Sequence, residues 1–79
     1  MTNLEKYDQA FMVLFELEKH TLNADLVYMS ISRWDSIGHM TLISTLEELF
    51  DIMMETDDII DFSSYEKGKE ILRRYRVEL

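Results

Sequence analysis

Few side chains capable of covalent or acid–base chemistry come together in this sequence, which has no cysteine and only two histidines, His20 and His39. The most suggestive stretch is residues 33–40, RWDSIGHM, where Asp35 and Ser36 stand directly before an apolar run. Two roles are open to such a Ser. It can be an early-turn residue behind an Asp cap, or its hydroxyl can be a chemical attachment point. His39 projects inward from the same segment with no second ligand or nucleophile at a useful spacing, so a buried, hydrogen-bonded structural His is expected. His20 reads as a loop residue. Asp57, Asp58 and Asp61 are too sparse, and lack the glycine, for an EF-hand loop, so no metal site is expected. No acid–base or nucleophile–base pair can be assembled, and the chain does not read as an enzyme.

The scaffold that must position Ser36 is all-α. With no proline and only two glycines, Gly38 and Gly68, the chain lacks the turn punctuation that a set of short strands needs. Thr2 and Glu5 fit a capping box, and Leu4, Tyr7, Phe11, Leu14 and Phe15 follow at helical spacing, which predicts a first helix over 3–18. Residues 19–35 show no sustained period, so they form a long first loop pinned by Leu22, Leu26, Val27, Tyr28, Ile31 and Trp34; loops of this length are often functional. A second helix over 36–53 starts at the Asp35 cap, with Leu42, Ile43, Leu46, Leu49, Phe50 and Met53 on its apolar face; Met12 also fits the core. A short helical turn over 58–62 follows, and Ser63 with Glu66 opens a last helix that carries Tyr65, Ile71, Leu72 and Tyr75. Arg73, Arg74 and Arg76 suit the negative end of its dipole. The expected fold is a four-helix bundle of three main helices and one short one, forming a single domain over residues 1–79.

Composition narrows the partners. Sixteen acidic against eight basic residues give a net charge of −8, a field that repels nucleic acid and anionic membranes and attracts basic protein surfaces. The start, MTNLEKYDQ, is too polar for a signal peptide, and no apolar run approaches the roughly 20 residues that span a bilayer, so a cytoplasmic protein is expected. On the second helix Ser36, Ile37, Met40, Thr41, Ser44, Glu47, Glu48 and Asp51 share an arc of roughly 140° opposite the apolar face. A hydroxyl thus heads a surface made of two apolar knobs and several carboxylates.

These residues resemble the acyl carrier protein family. The likeness lies in an Asp-Ser-aliphatic signature that opens the second of four helices after a long loop, in an acidic domain of this size, and it covers essentially the whole chain. It implies a non-catalytic acyl-carrier-like bundle in which Ser36 takes 4′-phosphopantetheine from coenzyme A, with Asp35 as motif residue and cap. It further implies that acyl intermediates travel as thioesters on that arm. By the same resemblance, Ile37, Met40, Glu47 and Glu48 form the docking face for basic patches on partner enzymes: a phosphopantetheinyl transferase, and acyl-loading, ketosynthase or acyltransferase enzymes. Ile43, Leu46, Ile59, Phe62 and Ile71 are the candidates to line an acyl-chain cavity in what is expected to be a monomer. A peptidyl or D-alanyl carrier, or an unmodified acidic module that only binds proteins, remains open at this point. Where fatty-acid carriers have an Asp-Leu-Gly-like lead-in and more carboxylates, this chain has Arg33 and Trp34 before the motif and Gly38, Thr41 and Leu49 after it. It looks more like stand-alone carriers of dedicated polyketide, specialised lipid or surface-glycan pathways, and Arg33, Trp34 and Gly38 are where partner choice is expected to be written.

Overall fold

Thr2 opens the first helix by reciprocal capping: its Oγ1 accepts from the Glu5 N–H at 3.1 Å, and the Glu5 carboxylate accepts from the Thr2 N–H at 2.9 Å. Both donors lack partners within the helix itself. In the computed structural model, which describes residues 1–79, helix α1 (Asn3–Phe15) then buries Tyr7, Ala10, Phe11 and Phe15 along one stripe. A 3₁₀ turn at Lys19–Thr21 follows, and α2 (Ser36–Phe50), the short α3 (Thr56–Asp61) and α4 (Tyr65–Arg74) complete an all-α bundle without strands. One core cluster is centred on Tyr7, Phe11, Trp34, Leu42, Ile43, Leu46, Phe62, Ile71 and Leu72.

Helices α1 and α2 each stop three residues before the expected end, and one device explains both. Glu16 (φ 54°) and Asp51 (φ 53°) take the left-handed conformation, and the next N–H, of Leu17 or Ile52, reaches back to the carbonyl of Met12 or Glu47 at 3.0 and 3.1 Å. Arg76 (φ 67°) ends α4 in the same way, with the Val77 N–H on the Leu72 carbonyl at 3.2 Å. This is the Schellman closure usually signalled by glycine, here formed three times by charged residues. Its effect after α2 is to swap two methionines. Met53, expected in the core, is 85% exposed, and Met54 is buried instead. Leu49, also expected on the inner face, is exposed, and Met12 is only half-buried.

The last helix begins one residue later than expected, because Ser64 rather than Ser63 is the cap, its Oγ accepting from the Lys67 N–H at 2.9 Å. Ser63 is engaged elsewhere. Its carbonyl accepts from the Tyr28 N–H at 2.8 Å, the Leu26 carbonyl accepts from the Tyr65 N–H at 2.9 Å, and Val27 and Ser64 form an isolated bridge. The long loop is thereby paired with the α3–α4 connection. The short helix is also displaced from the expected 58–62, starting at Thr56.

Polar ties fix α4 against its neighbours. The Tyr7 hydroxyl donates to the Tyr65 carbonyl at 2.7 Å, and the Tyr65 hydroxyl donates to the Asp8 carboxylate. Burial pushes the Tyr7 phenol well above its ordinary range, and burial together with the Asp8 carboxylate raises that of Tyr65. A Cβ on Gly68 would fall 2.2 Å from the Phe62 ring and 2.3 Å from the Tyr7 hydroxyl, so only glycine lets α4 lie this close. At the other end, the Tyr75 hydroxyl donates to the Asp58 carboxylate and accepts from the Glu55 N–H at 2.9 Å, while Arg74 pairs with Asp58 at 3.3 Å. Desolvation, and after it the bond to the Asp58 carboxylate, lift the Tyr75 phenol above its ordinary range, against the Glu55 N–H, which lowers it. These contacts also tie α3 to the end of α4.

Candidate functional site

Asp35 has an extended backbone (φ −101°, ψ −167°), and its Oδ1 accepts from the Gly38 N–H at 2.8 Å, while its carbonyl takes the first helical bond from the His39 N–H at 2.7 Å. That geometry makes Asp35 the cap and leaves Ser36 as the first residue of α2, with an exposed side chain. The Ser36 Oγ lies 3.0 Å from the Tyr28 hydroxyl. Just beyond it, Ile37 is 79% and Met40 51% exposed. Two apolar side chains therefore face outward on the first turns of the helix.

A cavity of about 330 Å³ opens beside Ser36. Tyr28, Ser36, His39 and Met40 form one side, and Ile59, Ile60, Phe62 and Ser63 form the other. Its size sits at the lower end of small-molecule sites. Of the residues expected to line an acyl cavity, Ile59 and Phe62 border this space. Ile43, Leu46 and Ile71 do not: they are fully buried in the core cluster, because their directions on α2 and α4 point to the bundle axis. In their place stand Tyr28, Met40, Ile60 and Ser63. Tyr28 and Ser63 could not be found by helical period, since both lie outside helices and meet through the loop pairing.

His39 lines the cavity through a ring that is fixed at both nitrogens. The Trp34 indole Nε1–H, which can only donate, is 2.9 Å from His39 Nδ1, so the ring proton sits on Nε2 and is donated to the Ile59 carbonyl at 2.9 Å. Both ring nitrogens are thus occupied, and the side chain bridges the loop to α3. Trp34 itself is completely buried, stacked between Phe15 at 5.6 Å and His39 at 6.2 Å. Gly38 is equally committed, because a Cβ there would meet the Arg33 carbonyl oxygen at 1.9 Å. Of the three residues expected to carry partner choice, Trp34 and Gly38 therefore have packing roles. Arg33 is exposed and pairs with Glu16 across the surface.

The acidic part of the face is narrower than the helical projection suggests. Glu47 is half-buried, and its Oε2 accepts from the Met54 N–H at 2.9 Å, so this carboxylate closes the turn after α2. Glu48 and Asp51 are exposed. His20 is exposed beside Glu18, and Asp58 is held by Tyr75 and Arg74.

No family model, curated protein or solved structure matches this chain. No helix is long and apolar enough to cross a membrane. The arrangement offers one exposed hydroxyl at the head of a capped helix, an apolar recess next to it, and an outward pair of apolar side chains followed by carboxylates.

Proposed function

We propose that this chain is an acyl carrier protein whose Ser36 takes 4′-phosphopantetheine from coenzyme A and which delivers acyl intermediates to enzymes of fatty-acid, polyketide or other specialised biosynthesis. The observation that carries this reading is the exposed Ser36 hydroxyl on the first residue of α2, at the mouth of a cavity of about 330 Å³. The residues present fit the group. A phosphodiester on this oxygen meets first-turn N–H groups that have no carbonyl partner inside the helix, and the positive end of the dipole. When bound, the arm supplies a terminal thiol on which acyl groups are held as thioesters. Ser36 provides the attachment oxygen, Asp35 caps the helix end that presents it, and Ile59, Ile60, Phe62 and Met40 provide apolar walls beside it.

The chain contributes binding and presentation and no acid–base step, which makes it a substrate-bearing partner and not an enzyme. Ile37 and Met40 supply the apolar part of the docking face and Glu48 the exposed charge. The net charge of −8 draws in the basic surfaces expected on a phosphopantetheinyl transferase and on acyl-loading, ketosynthase or acyltransferase enzymes. A cytoplasmic monomer suits these exchanges.

The test is direct. Purified protein is incubated with coenzyme A, magnesium and a broad-specificity phosphopantetheinyl transferase, and its intact mass is measured. The native chain gains one phosphopantetheine and Ser36→Ala gains none; an unmodified native chain, or an equal adduct on the variant, removes the carrier reading and leaves a protein-binding module.

A further inference from the structure

Resting on the carrier reading, we infer that Tyr28 is a positioning residue for the modification of Ser36, its phenolic hydroxyl orienting the Ser36 oxygen before transfer and donating to the phosphoryl group afterwards. The Tyr28 hydroxyl is the protein group hydrogen-bonded to Ser36 Oγ, at 3.0 Å. Eight residues separate the two in sequence, and the loop is built to bring them together. The Tyr28 N–H is held by the Ser63 carbonyl at 2.8 Å, and the Met29 N–H by the Trp34 carbonyl at 2.9 Å. Met29 takes a left-handed backbone (φ 70°) to make that turn. The Tyr28 ring meets His39 edge-on at 5.4 Å and Trp34 at 6.4 Å, both of which are fixed by their own hydrogen bond. A ring placed only for packing has no need of an oxygen aimed at the one candidate nucleophile.

In the transfer, Ser36 Oγ bonds to the phosphorus that bears pantetheine in coenzyme A. The bond from that phosphorus to the oxygen of the adenosine-side phosphate breaks, and 3′,5′-adenosine bisphosphate leaves with the electron pair. The hydroxyl proton passes to a base of the transferase. Before the step, Tyr28 and Ser36 share a bond between two neutral hydroxyls; afterwards Ser36 Oγ carries no proton, so Tyr28 must donate, and its acceptor belongs to a phosphodiester anion. Hydrogen bonds to an anion are stronger than neutral ones. An interaction that strengthens as charge gathers on the phosphoryl oxygens lowers the barrier more than it tightens docking.

Tyr28→Phe removes one oxygen from an exposed edge and keeps the ring. With coenzyme A, magnesium and the broad-specificity transferase, this variant takes the full mass adduct with kcat lowered about three- to tenfold and KM for the carrier unchanged, the loss expected for one such hydrogen bond. The phosphorus-31 resonance of the modified variant is shifted from that of the modified native protein, a readout independent of turnover. Thermal melting of the unmodified variant matches the native chain to show an intact fold. If kcat and the phosphorus resonance are both unchanged, Tyr28 serves the loop alone and the inference falls while the carrier reading stands. If the native chain takes no adduct, both fall. A rise in KM with kcat unchanged assigns Tyr28 to docking and likewise overturns the inference.

Discussion

Replacing Gly38 by Ala sets two effects of opposite sign against each other. Helix propensity favours Ala over Gly by about 1 kcal/mol in a helix interior, so α2 considered alone gains stability. The surroundings say otherwise. The added Cβ falls 1.9 Å from the Arg33 carbonyl oxygen and 3.3 Å from the Phe15 ring. Close carbon–oxygen contacts lie at about 3.3–3.6 Å, so the carbonyl has to retreat by more than an ångström. The obstacle is backbone, which no rotamer change removes. Arg33 precedes Trp34, so the retreat drags a fully buried indole and its hydrogen bond to His39. Overpacking of this kind costs about 1–3 kcal/mol, a backbone obstacle puts this case in the upper part of that range, at about 2–3 kcal/mol, and after the propensity gain the net loss is about 1–2 kcal/mol. For a domain of this size that lowers Tm by roughly 5–15 °C. Melting followed by circular dichroism gives the size, and Trp34 fluorescence, shifted toward the solvent-exposed value, locates the damage. A Gly38→Ala protein that melts at or above the native temperature refutes the close approach of the Arg33 carbonyl to α2.

Two further expectations rest on the backbone and the buried phenols. Asp51→Gly relieves a left-handed residue at an exposed position and, after the entropy that glycine adds to the unfolded chain, stabilises by about 0.5 kcal/mol; Tm rises by roughly 2–4 °C, and a fall counts against the Schellman closure. Tyr7 and Tyr65 have phenols raised above their unfolded value of about 10, so the folded state holds protons that the unfolded chain releases. Their contribution is fully present below about pH 10 and is lost as pH climbs toward the folded values. In an alkaline titration their phenolate absorbance appears together with loss of helical signal; phenolate formed while the helices persist contradicts the burial of this pair.

The sequence carries the starts of helices better than their ends, for a local reason. Thr2 with Glu5, and Asp35 before an apolar run, announce caps that depend on the identity of one or two side chains. The ends depend on backbone conformation at Glu16, Asp51 and Arg76, residues whose types give no warning of a left-handed turn. Reading on past Asp51 sends Met53 inward, when the reversal there buries Met54. The inward direction of His39 is legible from helical period, while its two partners, one in the loop and one on α3, are not. The same limit applies to the cavity: period places Ile43, Leu46 and Ile71 inside, where they fill the core, but the recess beside Ser36 depends on Tyr28 and Ser63, which only the loop pairing brings close. Glu47 shows the converse, a residue on the outward arc whose carboxylate bends back to a backbone N–H seven residues on.

The pairing of residues 26–28 with residues 63–65 also sets an order of events during synthesis. A growing chain that has emerged as far as Phe50 contains the capped start of α2, yet the loop around Tyr28 lacks its backbone partners, because Ser63 and Tyr65 have not yet emerged. The surroundings of Ser36 come together only when the α3–α4 connection has left the ribosome. Contacts between distant parts of a chain form late. On the carrier reading proposed above, a transferase that reads the assembled surface would leave the chain unmodified until that connection has emerged.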